Sequence, residues 1–129
     1  MEVQVFGVRK SAATRAALRF FAERRVRTHF VDLLERAASP GELRRFAQRC
    51  GVPALVDRTS RRFAELGLAH AALSDERWIE RLSEEPLVLR MPLVRWQQRV
   101  SVGEAEAEWK GWIETERTVR TPRSPPGPS

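Results

Sequence analysis

An α/β fold in the order βαβα, a helical insertion, then ββα is what this 129-residue sequence predicts. Three features carry that prediction. The first apolar run is short and stops at a glycine; a proline-started capping box follows the second run; and a cluster of short β-like runs gives way to a tryptophan-bearing amphipathic helix. Taken in order, Val3, Val5 and Phe6 open a β-like run that ends at Gly7. Ser11 to Arg25 then places Ala13, Ala17, Phe20 and Phe21 at helical spacings. His29 to Leu33 reads as the second strand. Ser39-Pro40-Gly41-Glu42 is a capping box with proline at the first helical position, and the helix it starts carries Leu43, Phe46 and Ala47 as its apolar stripe. Cys50-Gly51 ends it, because glycine accepts the positive φ that closes a helix.

From Val52 to about Glu85 the pattern is helical but broken, with Ala54-Leu55-Val56, Phe63 to Leu68, and a segment capped by Ser74 that carries Trp78, Ile79 and Leu82. These read as short helices inserted at about 52–85. Leu87-Val88-Leu89, Leu93 to Trp96 and Val100-Ser101-Val102 are strand-like, the last two joined by a turn at Gln97-Gln98. Glu104 to Ile113 returns to helix, with acidic residues in its first turn and Trp109, Trp112 and Ile113 on the face expected to cover the sheet. The domain is therefore drawn at 1–116. Residues 117–129, rich in Arg, Thr, Ser, Pro and Gly, are expected to form a disordered basic tail.

At 42% hydrophobic residues the chain has apolar side chains for one core, and nothing marks a second domain. No stretch is long and apolar enough for a membrane span and the start is polar, so a cytoplasmic protein with no membrane role is expected. A single cysteine, Cys50, excludes an intramolecular disulfide, and His29 and His70 stand far apart, so no metal site is expected. The net charge of +6 is uneven: Met1 to Arg62 holds 14 basic against 6 acidic residues, the remainder 9 against 11. A protein partner held by the basic N-terminal half, at Arg24 and Arg25 for example, is one reading. The other is compositional bias, since all but Lys10 and Lys110 of the 23 basic residues are arginine. A nucleic-acid partner is not favoured, for no recognition motif is present.

Particular segments add a resemblance to this order. Val5 to Ser11 looks like the first strand and active-site loop of the arsenate reductase (ArsC)/Spx-like family, and Thr14-Arg15 is similar to the polar pair after it. Phe30 to Leu33 resembles the second strand, Pro86 to Val94 the strand, turn and proline, and Val102-Gly103 with Trp109-Lys110 the closing turn and helix. The resemblance covers roughly Glu2 to Glu114. It implies a thioredoxin-like fold with a small mixed four- to five-strand sheet flanked by helices. It also implies a cis bond between Met91 and Pro92, the proline shaping the wall opposite the active-site loop.

The family keeps a nucleophilic cysteine in the loop before the first long helix; aligned without gaps, this sequence has Ser11 there, followed by Ala12 and Ala13. The paired cysteines of the Spx branch are missing as well. A serine hydroxyl cannot form a mixed disulfide, and a serine nucleophile needs a base that neither histidine supplies in this reading. Ser11 also has a plain structural role, since serine is among the best N-cap residues. An arginine expected immediately before Pro92 is replaced by Met91, with Arg90 one residue earlier; neighbouring strand residues face opposite ways, so Arg90 reaches the site only through a bulge or bend. In the middle segment the gap-free alignment gives Asp57, with Arg58 beside it.

What these residues imply is an anion-binding cleft of Arg9, Lys10, Ser11, Thr14, Arg15, Arg58, Arg90 and Pro92, with no assigned catalytic residue and no cofactor. The expected function is that of a family member without arsenate reductase activity, acting by binding a protein partner or a small anion. One alternative is a glutathione- and glutaredoxin-dependent reductase using Cys50, or a serine-based step, with glutathione as its only cofactor. Against it, Cys50 falls at a helix C-terminus, where the dipole raises a thiol pKa, and reads better as a structural thiol. The other alternative is an Spx-like transcription regulator that docks on RNA polymerase.

Overall fold

Four strands and six α-helices follow one another as the sequence suggests, in a computed structural model that describes residues 1–120. The first strand, β1 (Glu2–Gly7), pairs in parallel with β2 (Arg27–Asp32), Val3 opposite Thr28 and Gly7 opposite Asp32. A hairpin of β3 (Leu93–Trp96) and β4 (Arg99–Val102) completes the sheet, β3 lying antiparallel to β1 with Phe6 opposite Leu93 and Gln4 opposite Arg95. The strand order is β2-β1-β3-β4. Gln97 carries the hairpin turn at φ 56°.

Alternation along the strands divides the core into two layers. Val3 and Val5 of β1 and Val94 and Trp96 of β3 face helix α1 (Ala12–Glu23) and helix α6 (Glu106–Arg120), packing with Ala17, Phe20, Phe21, Trp109 and Trp112. Phe6, Val31 and Leu93 face the opposite layer. That layer is built by α2 (Pro40–Cys50), α3 (Val52–Leu55), α4 (Arg61–Glu65) and α5 (Asp75–Glu84), through Leu43, Phe46, Leu55, Phe63, Trp78, Ile79 and Leu82. A buried hydrogen bond ties α6 to the sheet: Trp109 Nε1 donates to Ser101 Oγ at 2.8 Å.

The caps explain where the helices begin. Ser39 accepts from the Glu42 amide while Glu42 Oε1 accepts from the Ser39 amide, the reciprocal box read from the sequence. Ser60 and Ser74 cap α4 and α5 without that return bond, each accepting an amide three residues on. Gly51 closes α2 at φ 83°, a backbone conformation that side chains resist.

Two sequence-based expectations change. Leu87-Val88-Leu89 is not a strand: Pro86–Val88 is a 3-10 turn, and Leu89 makes only an isolated bridge with Val56. Pro86, lacking an amide hydrogen, starts the turn, and the Val88 amide bonds back to Glu85 O at 3.0 Å, which curls the run before a ladder can extend. The sheet consequently has four strands. At the other end, α6 continues through Arg120, so residues 117–120 of the expected tail are helical, with Thr118 Oγ1 donating to Glu114 O at 2.9 Å. The rest of that tail, 121–129, lies outside the described residues. Among the described residues no helix is long and apolar enough to cross a membrane, and no group of three or more His, Cys, Asp or Glu side chains gathers as metal ligands would.

Candidate functional site

The C-terminal end of β1, the start of α1 and the inserted helices enclose a cleft of about 720 Å³. Val8, Lys10, Ser11 and Ala13 form its floor; Asp57, Thr59, Arg61, Arg62 and Glu65 one wall; Leu87, Leu89, Arg90, Met91, Gly103 and Glu104 the other. The bridge between Val56 and Leu89 holds the walls together, for the Asp57 amide donates to Val88 O and the Arg90 amide to Leu55 O, both at 2.8 Å. The Met91–Pro92 bond is cis, as the resemblance implied. Pro92 itself is buried behind the lining, its carbonyl accepting from the Gly103 amide at 2.8 Å.

Ser11 is the N-cap of α1: its Oγ accepts from the Thr14 amide at 3.1 Å, and its own amide donates to Val8 O at 3.1 Å. The cap takes one of the orphan amides of the first turn. Neither histidine lines the cleft, so no imidazole stands beside Ser11 as a base. Nor does Cys50, which sits half-buried at the end of α2; burial first, and the Glu108 carboxylate second, push its thiol above the ordinary value. The cause differs from the helix dipole expected from sequence, but the direction is the same.

Of the residues expected to bind an anion, the fold brings Lys10, Ser11 and Arg90 to the cleft and sends the others elsewhere. Arg90 reaches it because the chain bends after the Leu89 bridge, the side chain then running along Gly103; a Cβ on that glycine would lie 3.4 Å from Arg90 Cδ. Arg9 turns towards β2, its Nε 3.7 Å from Asp32 Oδ2 and its guanidinium 5.1 Å from the Phe30 ring centroid. Arg15 is exposed and donates to Arg9 O at 2.7 Å, bracing the loop from outside. Thr14 is fully buried against Gly7, and Arg58 lies over the Phe63 ring, 5.6 Å from its centroid. Consecutive loop and helix residues point in different directions, so residues adjacent in sequence cannot all face one cleft.

Two cationic residues of the wall were not singled out from sequence. Arg62 is occupied: its Nε and Nη2 donate to Glu85 at 3.0 and 2.8 Å, and its Nη1 to Glu65 at 3.3 Å. The fork holds the Glu85 carboxyl below the usual range, chiefly through hydrogen bonding, and joins α4 to the end of α5. Arg61, like Lys10 and Arg90, has no ion pair among the described residues. The signal for Arg61 was its place in the first turn after the Ser60 cap, next to the loop that carries Asp57. Asp57 is also engaged, its Oδ1 accepting from the Thr59 amide at 3.0 Å and hydroxyl at 2.6 Å.

Against known proteins, the model of the ArsC family matches residues 6–112. Among solved structures, the YFFB protein superposes with a TM-score of 0.78 at 20% identity, over 84% of this chain and 96% of that one. The arsenate reductase from Vibrio cholerae gives 0.71 at 24% identity, over 79% and 89%. An arsenate reductase (ArsC) related protein from Brucella melitensis gives 0.65 at 16%, over 88% and 96%. No curated protein matches the sequence. At these identities the structures share a fold, while the family model matches most of the chain. The chain belongs to the ArsC family and has its arsenate reductase-like, thioredoxin-like fold.

Proposed function

We propose that this protein binds a small oxyanion in the cleft and does not reduce it. The observation that carries the reading is Ser11: this residue of the cleft floor is a hydroxyl engaged as the α1 cap, and no sulfur nucleophile lines the cavity. Reduction through a thiol needs a thiolate that can form and exchange a mixed disulfide, which a serine oxygen cannot do. What remains suits binding. The amides at the start of α1 and the unpaired Lys10, Arg61 and Arg90 supply donors and positive charge at one place. Leu87, Leu89 and Met91 add apolar surface to the wall that carries Arg90.

The test has two arms. Arsenate and phosphate are titrated by calorimetry into the protein and into Arg90→Ala, and arsenate turnover with glutathione and glutaredoxin is measured for the protein and for Ser11→Cys. Binding by the parent that weakens about tenfold in Arg90→Ala, without turnover by the parent, is the expected result. Turnover by the unmodified protein would overturn the proposal, and so would the absence of oxyanion binding. Turnover gained by Ser11→Cys would show that the binding cleft still orients the substrate.

A further inference from the structure

The end of the sheet away from the cleft gathers a second set of arginines. Between α2 and the β3–β4 hairpin lies a groove of about 360 Å³ lined by Arg45, Gln48, Arg49, Arg95, Gln98 and Val100. It continues past the hairpin tip, where Arg49, Gln97, Gln98 and Arg99 line a further hollow. Since Arg95 pairs with Gln4 near the start of β1, and Leu93 with Phe6 near its end, this groove and the cleft stand towards opposite ends of the sheet.

The arginines of α2 differ in their pairing. Arg44 is matched with Glu76 of α5, and Arg36, before the helix, with Glu42. Arg45 and Arg49, one turn apart, have no ion pair among the described residues, and Arg95 donates its Nε to Gln97 O at 2.8 Å. Arg99 lies 4.9 Å from the Trp96 ring centroid. Like charges at i and i+4 disfavour a helix, so Arg45 and Arg49 repel each other unless an anion lies between them. No acidic residue lines the groove; Glu2 lies in an adjoining hollow with Arg95.

We infer that this groove docks an acidic segment of a partner protein. Guanidinium forks on both walls match carboxylates bidentately. Gln48 and Gln98 add side-chain amides to the groove, which both donate and accept and so can meet the backbone of an extended peptide. The exposed large apolar side chains of the described residues are Leu34 and Leu87, with Trp96 buried, so the groove offers no aromatic platform for bases. Arg24 and Arg25, the positions suggested by sequence, are not in the groove; Arg24 stacks on Phe20 at 3.8 Å.

The experiment is fluorescence anisotropy of the intact protein with a labelled peptide alternating Glu with Gly and Ser, compared with a labelled single-stranded oligonucleotide. Binding of the peptide in preference to the oligonucleotide, weakened about tenfold or more in Arg45→Glu/Arg49→Glu, is expected. The same reversal of charge in the cleft, Lys10→Glu/Arg61→Glu, leaves peptide binding within about twofold, which separates this surface from the oxyanion site. Circular dichroism melting establishes that each variant is folded, and Arg95→Gln serves as a milder variant with a smaller loss. No peptide binding, preference for the oligonucleotide, or equal weakening by the cleft variant would each overturn the inference.

Discussion

A Cβ on Gly7 would lie 2.3 Å from Thr14 Oγ1 and 2.6 Å from Thr14 Cγ2, so the last residue of β1 and the first turn of α1 touch through a bare backbone. Thr14 is fully buried there, and its Oγ1 has no hydrogen-bond partner. The contact sets how closely α1 approaches the strand, and with it the position of Ser11 at the cleft. Gly7→Ala is expected to destabilise the protein by about 1–3 kcal/mol through overpacking. In a Thr14→Ala background the two close atoms are gone and only the Cβ at 3.0 Å remains, so the cost of Gly7→Ala falls. A double-mutant cycle by urea denaturation measures the coupling; additive effects would show that the helix shifts freely.

Ser11 as the cap of α1 sets the outcome of two substitutions. Ser11→Ala leaves the Thr14 amide without its acceptor and costs about 0.5–2 kcal/mol. Ser11→Cys places a thiol at the positive end of α1, where its pKa falls below the ordinary ~8.5. Iodoacetamide at neutral pH is therefore expected to label position 11 of that variant well before Cys50, whose thiol is pushed up by burial and by Glu108. Peptide mass analysis over time distinguishes the sites, and faster labelling of Cys50 would refute the assignment.

The buried bond between Trp109 and Ser101 makes a third prediction. Ser101→Ala removes the acceptor from an indole N–H that is closed off from water, at a cost of about 1–3 kcal/mol. The surface exposed on unfolding is almost unchanged, so the loss appears as a lower urea midpoint with an unchanged slope.

Arg62 and Glu85 supply the pH dependence. The Glu85 carboxyl is held below 4.5, its ordinary value, so the pair's contribution is present above that value and is lost as pH falls through the lower folded one. Glu85→Gln should melt at a modestly lower temperature than the parent at neutral pH, and the difference should vanish in acid. Because the pair is only partly buried, the shift is small. A difference that persists or grows on acidification would show that Glu85 acts by packing.

Composition, spacing and resemblance made most of the fold legible. The Ser39–Glu42 box, the Gln97–Gln98 turn and the apolar stripe of Trp109, Trp112 and Ile113 are local or periodic signals, and each appears in the structure as read. The run Leu87 to Leu89 misled because three apolar residues look alike whether they pair in a ladder or curl, and the curl was decided by Pro86 and by the Val56 bridge. The candidate site was less legible. That Ser11 stands before the first helix follows from the order of residues, and so does the absence of a thiol there. Which cations share the cleft with it does not. Arg90 enters through a bend made by hydrogen bonds to Leu55 and across from Asp57, Arg58 leaves by stacking on Phe63, and Arg62 is taken by Glu85, twenty-three residues away in sequence. The sequence by itself determined the elements and the chemistry missing from the loop, because helix caps, periodicity and residue type act over one turn or one strand. Only the tertiary structure decided which arginines are free, because an ion pair or a cleft wall depends on side-chain direction and on partners that the chain brings together across long separations.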